Sequence, residues 1–327
     1  MRRWIGWIII LCILAGGATT CAIRWEAWFG NPPEPEYNEP IIAHQFITFD
    51  NDSVSSALQR DTLSFIILGD IHNSLTNDQI TILSQRHPNI QFWAQTGDWM
   101  ERPYLCYEQM MYQSLLGTRL DSLPIVAIPG NHEYLKGVVK TLPEHWKTIF
   151  PNPQNGPSRF LGTTYFVDFP HLRLIAIDTD GLHRMSDYTQ VAFWLKKTLR
   201  EAGNKFTIVM MHHPVYSIAK GRQNPLMWLT FYDAMREADV VFSGHDHNYA
   251  RRTEYYKERF WKKEEPTIFI GTNASTKKYP VKENNKYEAS LSGEPVYEHI
   301  FVTPNTLHIS TYIIHSGERI DNVEIIR

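Results

Sequence analysis

Five short polar motifs, each closing a run of apolar residues, constrain this chain more than any other feature. They are Gly69-Asp70-Ile71-His72, Gly97-Asp98, Gly130-Asn131-His132-Glu133, His212-His213-Pro214 and Gly244-His245-Asp246-His247. In order they read D-x-H, G-D, G-N-H-E, H and G-H-x-H. The runs ahead of them are Leu63–Leu68, Ile90–Gln95, Pro124–Ile128, Phe206–Met211 and Val240–Phe242. Several are almost unbroken and rich in Ile and Val, the pattern of strands covered on both faces. In α/β sheets, ligand sites gather beyond the carboxyl ends of the strands. A fold that uses these motifs together must therefore bring five strand ends to one edge.

Leu172–Ile177 and Thr267–Ile270 are further strand candidates. Helical patterns lie between the strands at Thr76–Arg86, Tyr104–Leu116, Thr189–Ala202 and Met227–Ala238. The third carries Val191, Phe193, Trp194, Leu195 and Leu199 at amphipathic spacing. Alternating strands and helices predict an α/β arrangement. In the tail, Glu298–Thr303, Thr306–Ile314 and Asn322–Ile326 read as a β-meander, separated by Pro304-Asn305 and Ser316-Gly317-Glu318, that adds to a second sheet. The polar stretches 152–159 and 277–286 read as loops.

The N-terminus predicts export. Arg2-Arg3 precedes the apolar stretch Trp4–Ala15, then small residues up to Thr20, then Cys21. That order suits a secretory signal over residues 1–20, and the apolar part is short of the roughly 20 residues a membrane span needs. Cys21 after small residues resembles a bacterial lipoprotein signal, with Thr20 where Gly, Ala or Ser is usual. The resemblance implies a lipid anchor at Cys21 and a place in the cell envelope. Residues 21–60 read as a tether and lead-in segment, stiffened by Pro32, Pro33 and Pro35, and residues 61–327 as the domain that carries the motifs. Processing at Cys21 leaves Cys106 as the one unmodified thiol of the three cysteines, so no internal disulfide is expected. Cys106 reads as a small buried hydrophobe. The net charge of -3 gives no basic excess, so a nucleic acid is not expected as a stable partner. Nothing in the pattern specifies an oligomeric state.

The motif residues are two Asp, one Asn and several His. Carboxylate, amide oxygen and imidazole together suit Mn, Fe or Zn better than Ca or a thiolate-seeking metal. Taken singly each motif says little; five in one order at five strand ends point to a metal site.

The set resembles the calcineurin-like metallophosphoesterase superfamily, which includes the purple acid phosphatases, over roughly residues 61–275. The resemblance implies an α/β (α+β) fold of two packed β-sheets flanked by helices, in four layers, with two metal ions at one edge. It implies Asp70, His72 and His247 on the first metal, Asp98 bridging, and Asn131, His212 and His245 on the second. His132 then stands near the leaving group as proton donor or charge stabiliser. Gly97-Asp98-Trp99-Met100-Glu101-Arg102 resembles the G-D-x-x-D-R form of the phosphoprotein phosphatase branch, with Glu in place of the second Asp. By that similarity Glu101 orients His132 and Arg102 grips a phosphate oxygen. Purple acid phosphatases carry D-x-G at the first motif and Tyr three residues after the bridging Asp. Here those positions hold His72 and Glu101, so neither a tyrosinate ligand nor a purple Fe(III) chromophore is expected.

These expectations amount to a metal-dependent phosphoesterase that hydrolyses phosphomonoesters or phosphodiesters, with water shared by the two metals as nucleophile. The alternatives are a pyrophosphohydrolase of nucleotide-type substrates and, in another class, an inactive metal-containing binding protein of the envelope. Of the remaining residues, His213 reads as packing or a substrate contact, Asp246 and Glu133 as supports of the site, and Asp178 and Asp180 as loop caps. Trp99, Tyr134 and Tyr216 adjoin motifs and read as pocket or core residues. Arg251 and Arg252 read as either substrate-attracting or solvated.

Overall fold

A computed structural model describes residues 30–31, 34, 36, 44–49, 59–137, 139–255, 266–282 and 286–327. The expected signal over 1–20, the lipidation site at Cys21 and most of the 21–60 segment lie outside them. Thirteen strands, β1 (Leu63–Leu68), β2 (Phe92–Gln95), β3 (Ile125–Ala127), β4 (Tyr165–Asp168), β5 (Leu172–Ile177), β6 (Phe206–Met211), β7 (Val240–Ser243), β8 (Asn248–Glu254), β9 (Thr267–Gly271), β10 (Ala289–Ser292), β11 (Val296–Val302), β12 (Thr306–Ile313) and β13 (Arg319–Ile326), form two sheets among the described residues. Sheet one runs β13-β12-β11-β1-β2-β3 and sheet two runs β10-β8-β9-β7-β6-β5-β4. The motif-bearing strands are parallel within each sheet: β1 to β2 to β3, and β6 to β7. Their carboxyl ends therefore point the same way.

The apolar runs are divided by the period of two. Phe65 and Ile67 face the core between the sheets, while Ile66 and Leu68 face the outer core of sheet one. Ile208 and Met210 join the central core, and Val209 and Met211 the outer core of sheet two. Side chains that alternate in direction along a strand reach two cores at once, so both faces must be apolar. Helices α1 (Asn77–Arg86), α2 (Leu105–Leu115) and α3 (Glu144–Ile149) cover sheet one. Helices α4 (Met185–Arg200) and α5 (Pro225–Met235) cover sheet two. The result is the four-layer arrangement implied by the motif resemblance.

Local signals set the helix starts. Thr76 caps α1, with Gln79 returning the bond to the cap. Asn224 caps α5 ahead of Pro225 in the first turn. α4 begins four residues before the expected Thr189, because Asp187 reaches back to the backbone N–H groups of His183 and Arg184.

Two expectations are corrected here. The tail meander continues sheet one, since β11 pairs antiparallel with β1 and β12 and β13 follow it. Strands β4, β8 and β10 carry no unbroken apolar run and were not expected; β8, Asn-Tyr-Ala-Arg-Arg-Thr-Glu, is held by its register against β9 and β10. Of the lead-in segment, residues 44–49 pack on the domain. Ile47 accepts a backbone bond from Ile125 at 2.8 Å, and Phe46 and Phe49 enter two different cores. Cys106 is buried and forms no disulfide among the described residues.

Candidate metal centre

Each motif turns sharply where its strand ends. Asp70, His72, Asn73, Asp98, His245 and His247 all adopt positive φ between 47° and 71°. Left-handed backbone at a non-glycine residue costs of order 1–3 kcal/mol and persists only where the surroundings enforce it. Five of the six are candidate ligands, so the strain is concentrated where the chain carries its chemistry. Two glycines make the turns possible. A Cβ on Gly97 would lie 2.6 Å from His212 Nδ1, and one on Gly130 would lie 2.4 Å from the Asp98 amide nitrogen.

Sheet one supplies Asp70, His72, Asp98 and Asn131; sheet two supplies His212, His245 and His247. Backbone bonds join the first two motifs: Asp70 N–H donates to Gly97 O at 3.2 Å and His72 N–H to Asp98 O at 3.0 Å. Glu133, fully buried, ties the second motif to the third by accepting from the amides of Asp98 (2.9 Å), Met100 (3.0 Å) and Gly130 (2.6 Å). Asp70 Oδ1 accepts the His245 amide at 2.9 Å, which links the two sheets. Asp246 accepts from Ser217, Ile218 and Ala219 and so fixes the loop after His213.

The seven side chains form two groups that share Asp98. Asp70, His72, Asp98 and His247 each place one ligand atom within 4.8 Å of the others. His72 Nε2 and His247 Nε2 are 3.2 Å apart, and His72 Nε2 is 3.5 Å from Asp98 Oδ2. In the other group, His212 Nε2 lies 3.3 Å from Asp98 Oδ2 and 3.3 Å from Asn131 Oδ1. His245 Nδ1 lies 2.9 Å from Asn131 Oδ1 and 3.2 Å from His212 Nε2.

The chemistry of this set fits a metal cation. Among the described residues, buried Asp70 Oδ2 has no hydrogen-bond partner. Imidazole nitrogens meet carboxylate and amide oxygens, groups that cannot satisfy one another without a proton or a cation between them. His212 Nδ1–H donates to the Thr96 carbonyl at 3.0 Å, so Nε2 is the ring atom turned toward Asp98. Burial lowers the His247 pKa to about 3, so its imidazole is neutral, the state a metal requires. Burial, with the Asp98 charge nearby, pushes the Asp70 carboxyl up to about 8. Burial acts to lower His212, but the carboxylates of Asp98 and Asp70 outweigh it and raise the imidazole to about 10. A pocket that draws a proton onto a buried histidine is one in which positive charge is favoured.

The three residues expected to act on substrate are placed differently. The His132 ring stands 4.5 Å from the His72 ring, edge-on, and its amide donates to Asp98 Oδ1 at 2.9 Å. Its Nδ1–H donates to the backbone carbonyl of Glu101 at 2.6 Å. Glu101 thus reaches His132 through its main-chain carbonyl, and its carboxylate oxygen lies within 4.8 Å of ring nitrogens of both His72 and His132. That carboxylate is 3.3 Å from His72 Nδ1 and ion-paired with Lys277. Burial raises the Glu101 pKa, but the bonds to His72 and Lys277 outweigh it and hold the group at about 2. Arg102 is half-buried, and among the described residues no contact joins its side chain to the cluster. The guanidinium that touches the cluster is Arg222, whose Nη2 donates toward His245 Nε2 at 2.6 Å and whose plane lies 4.1 Å over the Tyr279 ring.

Arg222 and Lys277 were not singled out from sequence. Both sit in polar loops without a motif, and only the fold puts them at the cluster. His213 packs beside it, its Nδ1 3.0 Å from Thr179 Oγ1 and its ring 4.2 Å from His245. Asp178 caps its own loop through the amides of Asp180 and Gly181, whereas Asp180 pairs with Lys140. Trp99 is fully buried and Tyr134 donates to Asp178, so both belong to the core. Arg251 pairs with Asp321 and Glu288, and Arg252 with Glu254.

Comparison with known proteins gives the family and the fold. The family model described as calcineurin-like phosphoesterase matches residues 63–249. The chain is 26% identical over 133 residues to the glycerophosphodiester phosphodiesterase GpdQ of Enterobacter lignolyticus, covering 38% of this chain and 45% of that protein. The chain thus spans less than half the length of that relative. Among solved structures, purple acid phosphatase PPD1 from yellow lupin superposes with a TM-score of 0.66 at 16% identity, over 82% of this chain and 54% of that one. GAP50, the anchor in the inner membrane complex of Plasmodium, gives 0.59 at 15% identity, over 82% and 89%. These likenesses concern the fold.

Proposed function

The chain belongs to the calcineurin-like phosphoesterase family, and from that premise we propose that it is a metal-dependent hydrolase of phosphomonoesters or phosphodiesters with a dinuclear centre. The observation that carries this reading is the sharing of Asp98 Oδ2 between two ligand groups, 3.5 Å from His72 Nε2 and 3.3 Å from His212 Nε2. Asp70, His72 and His247 would hold one ion, Asn131, His212 and His245 the other, and Asp98 both. When bound, such a pair lowers the pKa of water and neutralises charge on a phosphoryl oxygen. Mn, Fe and Zn all suit these donors.

The chain's own residues do the rest. His132 flanks the cluster on the His72 side, fixed by the Glu101 carbonyl at Nδ1. A proton held on Nδ1 by that bond leaves Nε2 to give up the second proton of an imidazolium to a departing alkoxide. Arg222 flanks the His245 side, and its fork geometry matches two phosphoryl oxygens. Arg102 is the other guanidinium proposed for that role. Glu101 and Lys277 hold the His72 ring from behind.

Nitrophenyl esters test the reading. The purified chain, incubated with Mn, Zn or Fe, is assayed on p-nitrophenyl phosphate and bis-p-nitrophenyl phosphate, with Asp98→Asn as the blank. Turnover of either ester that Asp98→Asn abolishes supports the reading, and the faster ester assigns monoester or diester preference. A fully active Asp98→Asn chain rejects the shared carboxylate. Two bound metals with no turnover of either ester would favour the pyrophosphohydrolase or the inactive binding protein.

The N-terminal pattern adds a proposal about place: export to the cell envelope and a lipid anchor at Cys21. Cys21→Ser should move the protein from the membrane to the soluble fraction. Unchanged membrane association rejects the anchor.

A further inference from the structure

A cavity of about 360 Å³ lies between the loop that follows His212, the first turns of α5 and the residues Arg252, Lys282, Lys286 and Tyr287. Three rings wall it: Tyr216, Trp228 and Tyr287. Trp228 is 44% exposed, on a helix whose Met227, Phe231, Ala234 and Met235 are buried. Three cations also line it: Arg252, Lys282 and Lys286. Arg252 lies 4.2 Å over the Tyr216 ring and is paired with Glu254, while Lys282 Nζ donates to the Ser217 carbonyl. Rings with cations and amides suit a planar aromatic group that carries acceptor atoms.

The cavity and the cluster share one wall. The loop from His212 to Asn224 starts at a candidate ligand and brings Arg222 to His245. In the same stretch, Tyr216, Ser217, Gln223 and Asn224 line the cavity. Ser217 Oγ donates to Asp246 at 3.1 Å, between His245 and His247.

We propose that this cavity is a subsite for the aromatic base of a nucleotide-sized phosphoester whose phosphate is held at the metal cluster, an inference that rests on the phosphoesterase reading above. Trp228 and Tyr287 stack on the ring, and the cations favour its acceptor atoms. Base–aromatic stacking contributes on the order of 1–3 kcal/mol, so a single ring changes affinity about tenfold.

Calorimetric titration of the full chain loaded with Mn tests the proposal, with AMP, adenosine and inorganic phosphate as probes, on the native chain, Trp228→Ala and Arg252→Gln. Expected are AMP binding at least about tenfold tighter than phosphate, loss of that advantage in Trp228→Ala, and phosphate affinity the same in both. Arg252→Gln, which keeps the indole, should weaken AMP and adenosine to the same degree, because both present the same base, and leave phosphate affinity unchanged. AMP that binds no tighter than phosphate, or with equal affinity to Trp228→Ala, overturns the subsite. Failure of the phosphoesterase reading looks different: phosphate does not bind and neither nitrophenyl ester turns over, while adenosine still binds in a Trp228-dependent way.

Discussion

Single side chains at the centre have separable jobs. His132 contacts the cluster edge-on and is fixed through Glu101 O, with no ligand atom in the Asp70–His247 group. His132→Ala should therefore keep its metal content by elemental analysis and lose turnover by about 10²–10⁴-fold, the usual range for a general acid. Undiminished turnover would remove the proton donor. The two arginines make a sharper contrast. Arg222 touches His245, while Arg102 has no contact with the cluster among the described residues. Arg222→Lys is expected to reduce kcat/KM more than Arg102→Lys, because an ammonium cannot replace a bidentate fork; the opposite ranking returns the phosphate grip to Arg102. The sequence made all seven candidate ligands and His132 legible, since each lies in a motif at a strand end. Arg222 was illegible, because its place depends on how a loop of sheet two folds back over the site.

At the scale of elements, the strands do two things with one pattern. Unbroken apolar runs fill two cores, and the turn at each carboxyl end delivers polar groups to a common edge. That legibility failed for β8 and β10, whose polar or short sequences become strands through partners distant in the chain. It also failed for the tail, because a meander can join either sheet and pairing with β1 is a tertiary choice. β11 carries an exception to the apolar rule in Glu298, opposite Ile67 and fully buried. Burial pushes its carboxyl up to about 8 against the partial relief of the Thr272 hydroxyl. A group with a raised folded pKa keeps its proton in the native state while the unfolded chain releases it. Stability from this group is thus greatest at low pH and is lost as pH rises from the ordinary carboxyl range through about 8. Glu298→Gln should flatten the dependence of Tm on pH across that window and raise Tm at pH 8. A variant with the native slope rejects a buried acid there.

For the whole molecule, the centre is a seam between two sheets, and holding it together is a global property. Asp70 bonds to His245 across the seam, and Asp98 approaches both His72 and His212. A cation bound there stabilises the native state by mass action, about 2.7 kcal/mol at a hundredfold excess over Kd. At roughly 2–4 °C per kcal/mol for a large domain, chelation should lower Tm by about 5–10 °C, and added Mn or Zn should restore it. An unchanged Tm would separate the cluster from metal binding. The order and identity of the motifs, the strands that precede them and the α/β class were set by the sequence itself, because apolar periodicity and strand-end turns are local. The grouping of the seven side chains around Asp98 was already implied by the motif resemblance, whereas the tertiary structure alone decided which sheet the tail joins and which arginine reaches the cluster. Those outcomes depend on pairings between residues as far apart as Asp70 and His245, and contacts of that span leave no signature in local spacing.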